Sequence, residues 1–160
     1  MPKGKAVVPK SKAVASKRKI PATKSETIAE IEAAAETAEN GIGELQAGLQ
    51  AEQRRIRRDA FDAGRQLTPQ ETQRLSEIDV AQSRLTAALK ELSFVTLQNL
   101  DNSAEVQQLQ SQMDGINRGL AGDLDRLKKL EEFSATAAKV ADTIAQIVAK
   151  LAPLAAGALL

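Results

Sequence analysis

The chain contains no cysteine, no histidine, no tryptophan and no tyrosine. The first two absences exclude disulfides, thiolate nucleophiles, Ser–His–Asp and Cys–His catalytic groups, the usual zinc ligands and a histidine-based response to pH. Carboxylate-only metal binding survives that test, but no Asp-rich loop is there to supply it. A Gly-x-x-x-x-Gly-Lys phosphate loop is also missing. Phe61, Phe94 and Phe133 are the only aromatic residues, so the core cannot rest on large rings. The hydrophobic share of 42% is largely Ala and aliphatic, which fits slim helix-on-helix packing. Neither cofactor, metal, small-molecule substrate nor enzymatic activity is expected from such a composition.

Apolar residues recur three and four apart almost from end to end. Ile28, Ile31, Ala35, Ala38, Ile42, Leu45, Leu49 and Ile56 form one such run. Leu75, Ile78, Leu85, Leu89, Leu92 and Val95 form a second. A third begins at Val106, Leu109, Met113, Ile116 and Leu120, misses at Asp123, and continues through Leu127 and Leu130 to Ala137, Ala141, Ile144, Val148 and Leu151. This spacing places a seam along one side of a helix, and a seam needs a partner. Thr23 with Glu26, and Thr68-Pro69 with Glu71, have the form of helix starts. Gly64 suits the residue after a helix end. The spacing predicts helices over residues 25–63, 69–100 and 104–152. The last would run roughly 70 Å at 1.5 Å per residue, with Pro153 ending or kinking it. Short loops make neighbours antiparallel. The expected fold is all-α: a long three-helix bundle or coiled-coil hairpin over residues 25–152. The end of the third helix would project, followed by an apolar C-terminal end at residues 153–160.

Charge divides the chain in two. Residues 1–24 carry eight basic and no acidic residues, whereas the remainder carries fourteen basic against twenty-one acidic. Dense like charge with Pro2, Pro9 and Pro21 predicts a disordered tail. Lys3, Lys5, Lys10, Lys12, Lys17, Arg18, Lys19 and Lys24 are the candidate contacts to a polyanion. They would act through counterion release rather than by reading sequence, since no aromatic side chain in the tail stacks on bases.

Apolar stretches, arginines and glycines elsewhere in the chain add further candidates. Residues 134–160 are apolar and sparsely charged, and Val140, Ile144, Ile147, Val148, Leu151 and Leu154 are the candidate interaction or membrane surface. The uncharged run 151–160 is far short of the ~20 residues needed to span a bilayer, so an interfacial helix or an oligomer seam is the expectation. Arg54, Arg55, Arg57 and Arg58, with Arg65 nearby, form a salt-bridged face or a phosphate grip. Gly115 and Gly119 have Gly-x-x-x-Gly spacing, interrupted by Asn117 and Arg118, and suggest close helix approach or a flexible point. Glu131 and Glu132, or Asp123 and Asp125, diverge on a helix and make no acid–base pair.

In composition, the Lys/Ala/Pro tail and residues 134–160 resemble some polymer-granule-associated bacterial proteins and histone-like tails. No motif carries that likeness, so no site residue transfers. The reading is a non-enzymatic helical interaction or scaffold protein, cytoplasmic, that self-associates or pairs with a helical partner while its tail contacts an anionic surface. The alternatives are a membrane-associated or pore-forming helical protein using residues 134–160, and a sequence-nonspecific nucleic-acid-binding protein using residues 3–24.

Overall fold

The helix boundaries are set by side chains that satisfy the backbone groups a helix end leaves unpaired. A computed structural model of the chain describes residues 23–97, 100 and 102–157. Among the described residues there are four helices: α1 (Lys24–Asp62), α2 (Pro69–Leu97), α3 (Ser103–Lys128) and α4 (Ser134–Ala155). Thr23 Oγ1 accepts from the Glu26 backbone N–H at 3.2 Å, while Glu26 accepts from the Thr23 N–H at 2.8 Å. Thr68 and Glu71 repeat this reciprocal pair at the start of α2. The α1 end turns on Gly64, at φ 62°. There the Gly64 N–H donates to Phe61 O and the Arg65 N–H to Ala60 O, the paired hydrogen bonds of a left-handed helix stop.

Each helix packs on its sequence neighbours, and α4 closes the ring against α1. The result is an up-down-up-down four-helix bundle, and the expected three-helix bundle or coiled-coil hairpin is incorrect. The difference lies at residues 129–133. Instead of one helix over 104–152, the chain tightens there into turns in which Lys129, Leu130 and Phe133 donate to the carbonyls three residues back. It then reverses into α4. Nothing in the sequence advertises the reversal, because it contains neither Gly nor Pro and Leu130 and Phe133 keep the apolar spacing. The physical reason is burial. A straight helix would leave its second half uncovered beyond α2, which has only 29 residues. Folding back lays that half between α1 and α3. Pro153 does not stop α4, which continues to Ala155. Its missing N–H falls in the last turn of the helix.

The three apolar runs converge in one core. Ile31, Ile42, Leu45, Leu49, Leu85 and Leu92 are among its fully buried members. Side-chain bonds tie the surfaces of neighbouring helices above that core. Gln46 donates to Thr86 Oγ1 at 2.9 Å between α1 and α2, and Gln107 donates to Ala155 O at 3.1 Å between α3 and α4. Lys150 pairs with Glu30 between α4 and α1.

Candidate binding surfaces

Lys3, Lys5, Lys10, Lys12, Lys17, Arg18 and Lys19 lie outside the described residues. Lys24 is the first residue of α1, so the tail joins the bundle at the end where α2 finishes and α3 begins.

The candidate C-terminal surface is largely interior. Val140, Ile144, Ile147, Leu151 and Leu154 are all buried, and Val148 is partly buried against the same core. Their partners are α1 and α3, so the stripe offered to lipid or to another copy is already covered. Among the described residues no helix is long and apolar enough to cross a membrane. The expectation of membrane association, in function and in localisation alike, is therefore corrected: α4 spends its apolar face inside the bundle.

The arginine cluster is in part the salt-bridged face. Arg55 reaches Glu52 at 2.7 Å and Asp59 at 3.5 Å. The Arg55 hydrogen bond holds the Glu52 carboxyl below the usual carboxylate range despite some opposing desolvation. Arg65 grips Glu71 with two bonds of 2.8 Å. Arg54, Arg57 and Arg58 are exposed.

The glycines separate into two kinds. A Cβ on Gly41 would lie 2.6 Å from Val140 Cγ2, and one on Gly48 would lie 2.7 Å from Phe133 Cε1. These are true close-approach positions between α1 and the α4 side of the molecule. Gly115, Gly119 and Gly122 have nothing among the described residues within 4 Å of such an atom. The Gly-x-x-x-Gly of α3 therefore marks missing volume rather than close approach.

That missing volume is a groove of about 330 Å³ between α2 and α3. Its floor is Ala87, Ala88, Gly115, Ile116, Gly119 and Leu120. Small side chains on both helices leave it unfilled. One end is held by Arg84, which donates to Gly119 O at 2.8 Å and lies 3.2 Å from the buried Asp123. This pair accounts for the acid that interrupts the third apolar run: Asp123 faces α2, not empty core. Glu91 and Gln112 complete the lining. Glu91 Oε2 and Gln112 Oε1 are both buried, and neither has a hydrogen-bond partner among the described residues. Such atoms are uncommon in native structures and costly in isolation. An apolar floor with a few converging polar atoms, between helices of a bundle, is the usual form of a binding site.

Sequence reasoning singled out Gly115 and Gly119 but missed Arg84, Glu91 and Gln112. The available signal was Asp123, an acid on an apolar stripe that demanded a basic partner from a facing helix. Among the described residues no group of three or more acidic side chains is placed to hold a metal ion. Comparison of the chain with protein families, curated proteins and solved structures finds no match to any of them.

Proposed function

We propose that the protein is a non-enzymatic helical interaction protein whose basic tail holds an anionic polymer, with nucleic acid as the representative case, while the bundle serves as its acidic carrier. The observation that carries this reading is the segregation of charge. Residues 1–24 have eight basic and no acidic residues, and the remainder has an excess of seven acids. A polyphosphate drawn to the tail is repelled by the bundle, so contact is confined to the tail and is indifferent to base sequence. The closed core supports the same division of labour, since the long apolar seams find their partners within the chain.

The test is fluorescence anisotropy with a labelled mixed-sequence DNA duplex at several salt concentrations. The intact chain is expected to bind, with log K against log[salt] falling at a slope near −6 if all seven cations of residues 3–19 engage, at about −0.9 per phosphate. Replacing those seven with Gln in the full-length chain should abolish binding. Retained binding in that variant, or none by the intact chain, overturns the reading.

A further inference from the structure

We propose that the α2–α3 groove is the resting seat of the chain's own tail, occupied by one of its two Lys-Ala-Val segments, Lys5–Val7 or Lys12–Val14. The chemistry of the two surfaces is complementary. The groove has an apolar floor, and Glu91 and Gln112 in its lining each hold a buried side-chain oxygen that has no hydrogen-bond partner among the described residues and that a small rotation would turn towards an entering donor. A lysine ammonium has three donors and no acceptor. Ala and Val beside it are small enough to enter a slot in which Ala87, Ala88, Gly115 and Gly119 leave room beside Ile116 and Leu120. The tail has no acid to repel Glu91 and no ring too large for the slot. Arg84 offers no competing claim on the Glu91 end, being engaged by Gly119 and Asp123.

The connection reaches. Residues 15–22 separate the nearer segment from Thr23 and span up to about 28 Å when extended. The tail leaves from the end of the bundle where α2 stops at Leu97 and α3 starts at Ser103. Gln112 lies nine residues into α3, about 13 Å from that end. Crossing the bundle top takes roughly two interaxial spacings of 8–10 Å. The farther segment has still more slack. Tethering also raises the local concentration into the millimolar range, so one ammonium and a few methyl groups suffice to populate the contact. The acidic outer face of α1, where Glu32, Glu36 and Glu39 flank Ala29 and Ala33, is the competing seat.

The same lysines cannot lie in the groove and on a phosphate backbone together. The seat therefore opposes polyanion binding, a consequence that rests on the proposed function, whereas the seat itself does not.

Because the chain has no cysteine, Ala13→Cys gives one site for a nitroxide on the full-length, isotope-labelled protein. The expected result is strong paramagnetic broadening of the Ala87, Ile116 and Gly119 amide signals, with α1 residues 29–39 little affected. Glu91→Gln should weaken the broadening, and Gly119→Leu, which fills the slot, should remove it while helicity is retained. Added DNA duplex should release the tail. Broadening centred on Glu32–Glu39, uniform broadening, or broadening unmoved by both variants overturns the proposal. So does broadening that appears only when nitroxide and isotope sit on different chains. If the groove signals broaden but the duplex never binds, the seat stands and the polyanion function falls. If the duplex binds and the groove signals stay sharp, the reverse holds.

Discussion

The α1–α4 and α2–α3 interfaces are built from the same kinds of residue, yet they solve the packing problem differently. Between α1 and the α4 side, Gly41 and Gly48 are indented and Val140 and Phe133 fill the indentations. Between α2 and α3, Gly115 and Gly119 face Ala87 and Ala88, and none of the described residues fills the gap. A glycine in a helix is thus a neutral statement about volume, and its meaning is decided by what stands opposite. Where a branched or aromatic side chain stands opposite, the helices lock. Where small residues do, a groove remains for another segment to enter.

Truncating a filler on the locked side should have the largest effect. Phe133 is buried, occupies the space in front of Gly48, and precedes the first residue of α4. Phe133→Ala should lower stability by about 3–5 kcal/mol, read as a shift in the urea midpoint at unchanged slope. Ile116 is only partly buried and already borders the groove, so Ile116→Ala should cost less than half as much. Equal losses at the two positions would erase the distinction between the interfaces.

Gly41→Ala sharpens the comparison at finer scale. The new methyl meets Val140 Cγ2, a stiff β-branched group with little freedom to move aside. Overpacking of about 1–3 kcal/mol outweighs a helix-propensity gain of about 1 kcal/mol. The net expectation is a loss near 1 kcal/mol. On a Val140→Ala background the same change should become neutral or favourable. That double-mutant coupling separates steric conflict from any other cause.

The sequence made the faces of the helices legible and hid one boundary. Ile31, Leu45, Leu85, Met113 and Leu120 fall in the core as their spacing predicts, because burial alone dictates a 3–4 repeat. Thr23, Gly64 and Thr68 mark ends because capping is local chemistry. The reversal at Leu130–Phe133 left no such mark. Periodicity reports which face is apolar, not whether the backbone runs straight, so a turn that keeps Leu130 and Phe133 in phase passes as helix. The groove was hidden for a related reason. A volume left empty between Ala88 and Gly119 is a property of two segments together, and neither segment announces it alone.

Gly119→Ala should act opposite in sign to Gly41→Ala. Its methyl meets nothing within 4 Å, and the helix gains from a less flexible unfolded chain, so stability should rise by about 0.4–1 kcal/mol. Gly43, equally unobstructed, should respond alike. A loss at Gly119 would mean that the groove is closed or filled in solution, and the contrast between the interfaces would disappear.

The smallest effect is expected where charge, rather than volume, holds the chain. At the α1–α2 corner the Glu71 carboxyl accepts two bonds from Arg65 and one from the Thr68 backbone N–H. Arg65 first and Thr68 second hold its pKa at about 2, against an ordinary 4.5. A folded-state pKa below the unfolded value stabilises the protein fully above about pH 4.5. That contribution is lost as the pH falls towards 2 and the carboxyl takes up a proton. Arg65→Met should therefore be slightly less stable than the parent at pH 7, and the difference should close on acidification. The pair is partly exposed, with Arg65 at 42%, so screening by high salt should shrink the difference at pH 7 as well. Melting temperatures of parent and variant across pH 2–7, at low and high salt, provide the check. A difference that persists unchanged to pH 2 would show that Arg65 acts through packing, which would place this corner with the locked α1–α4 interface instead of apart from it.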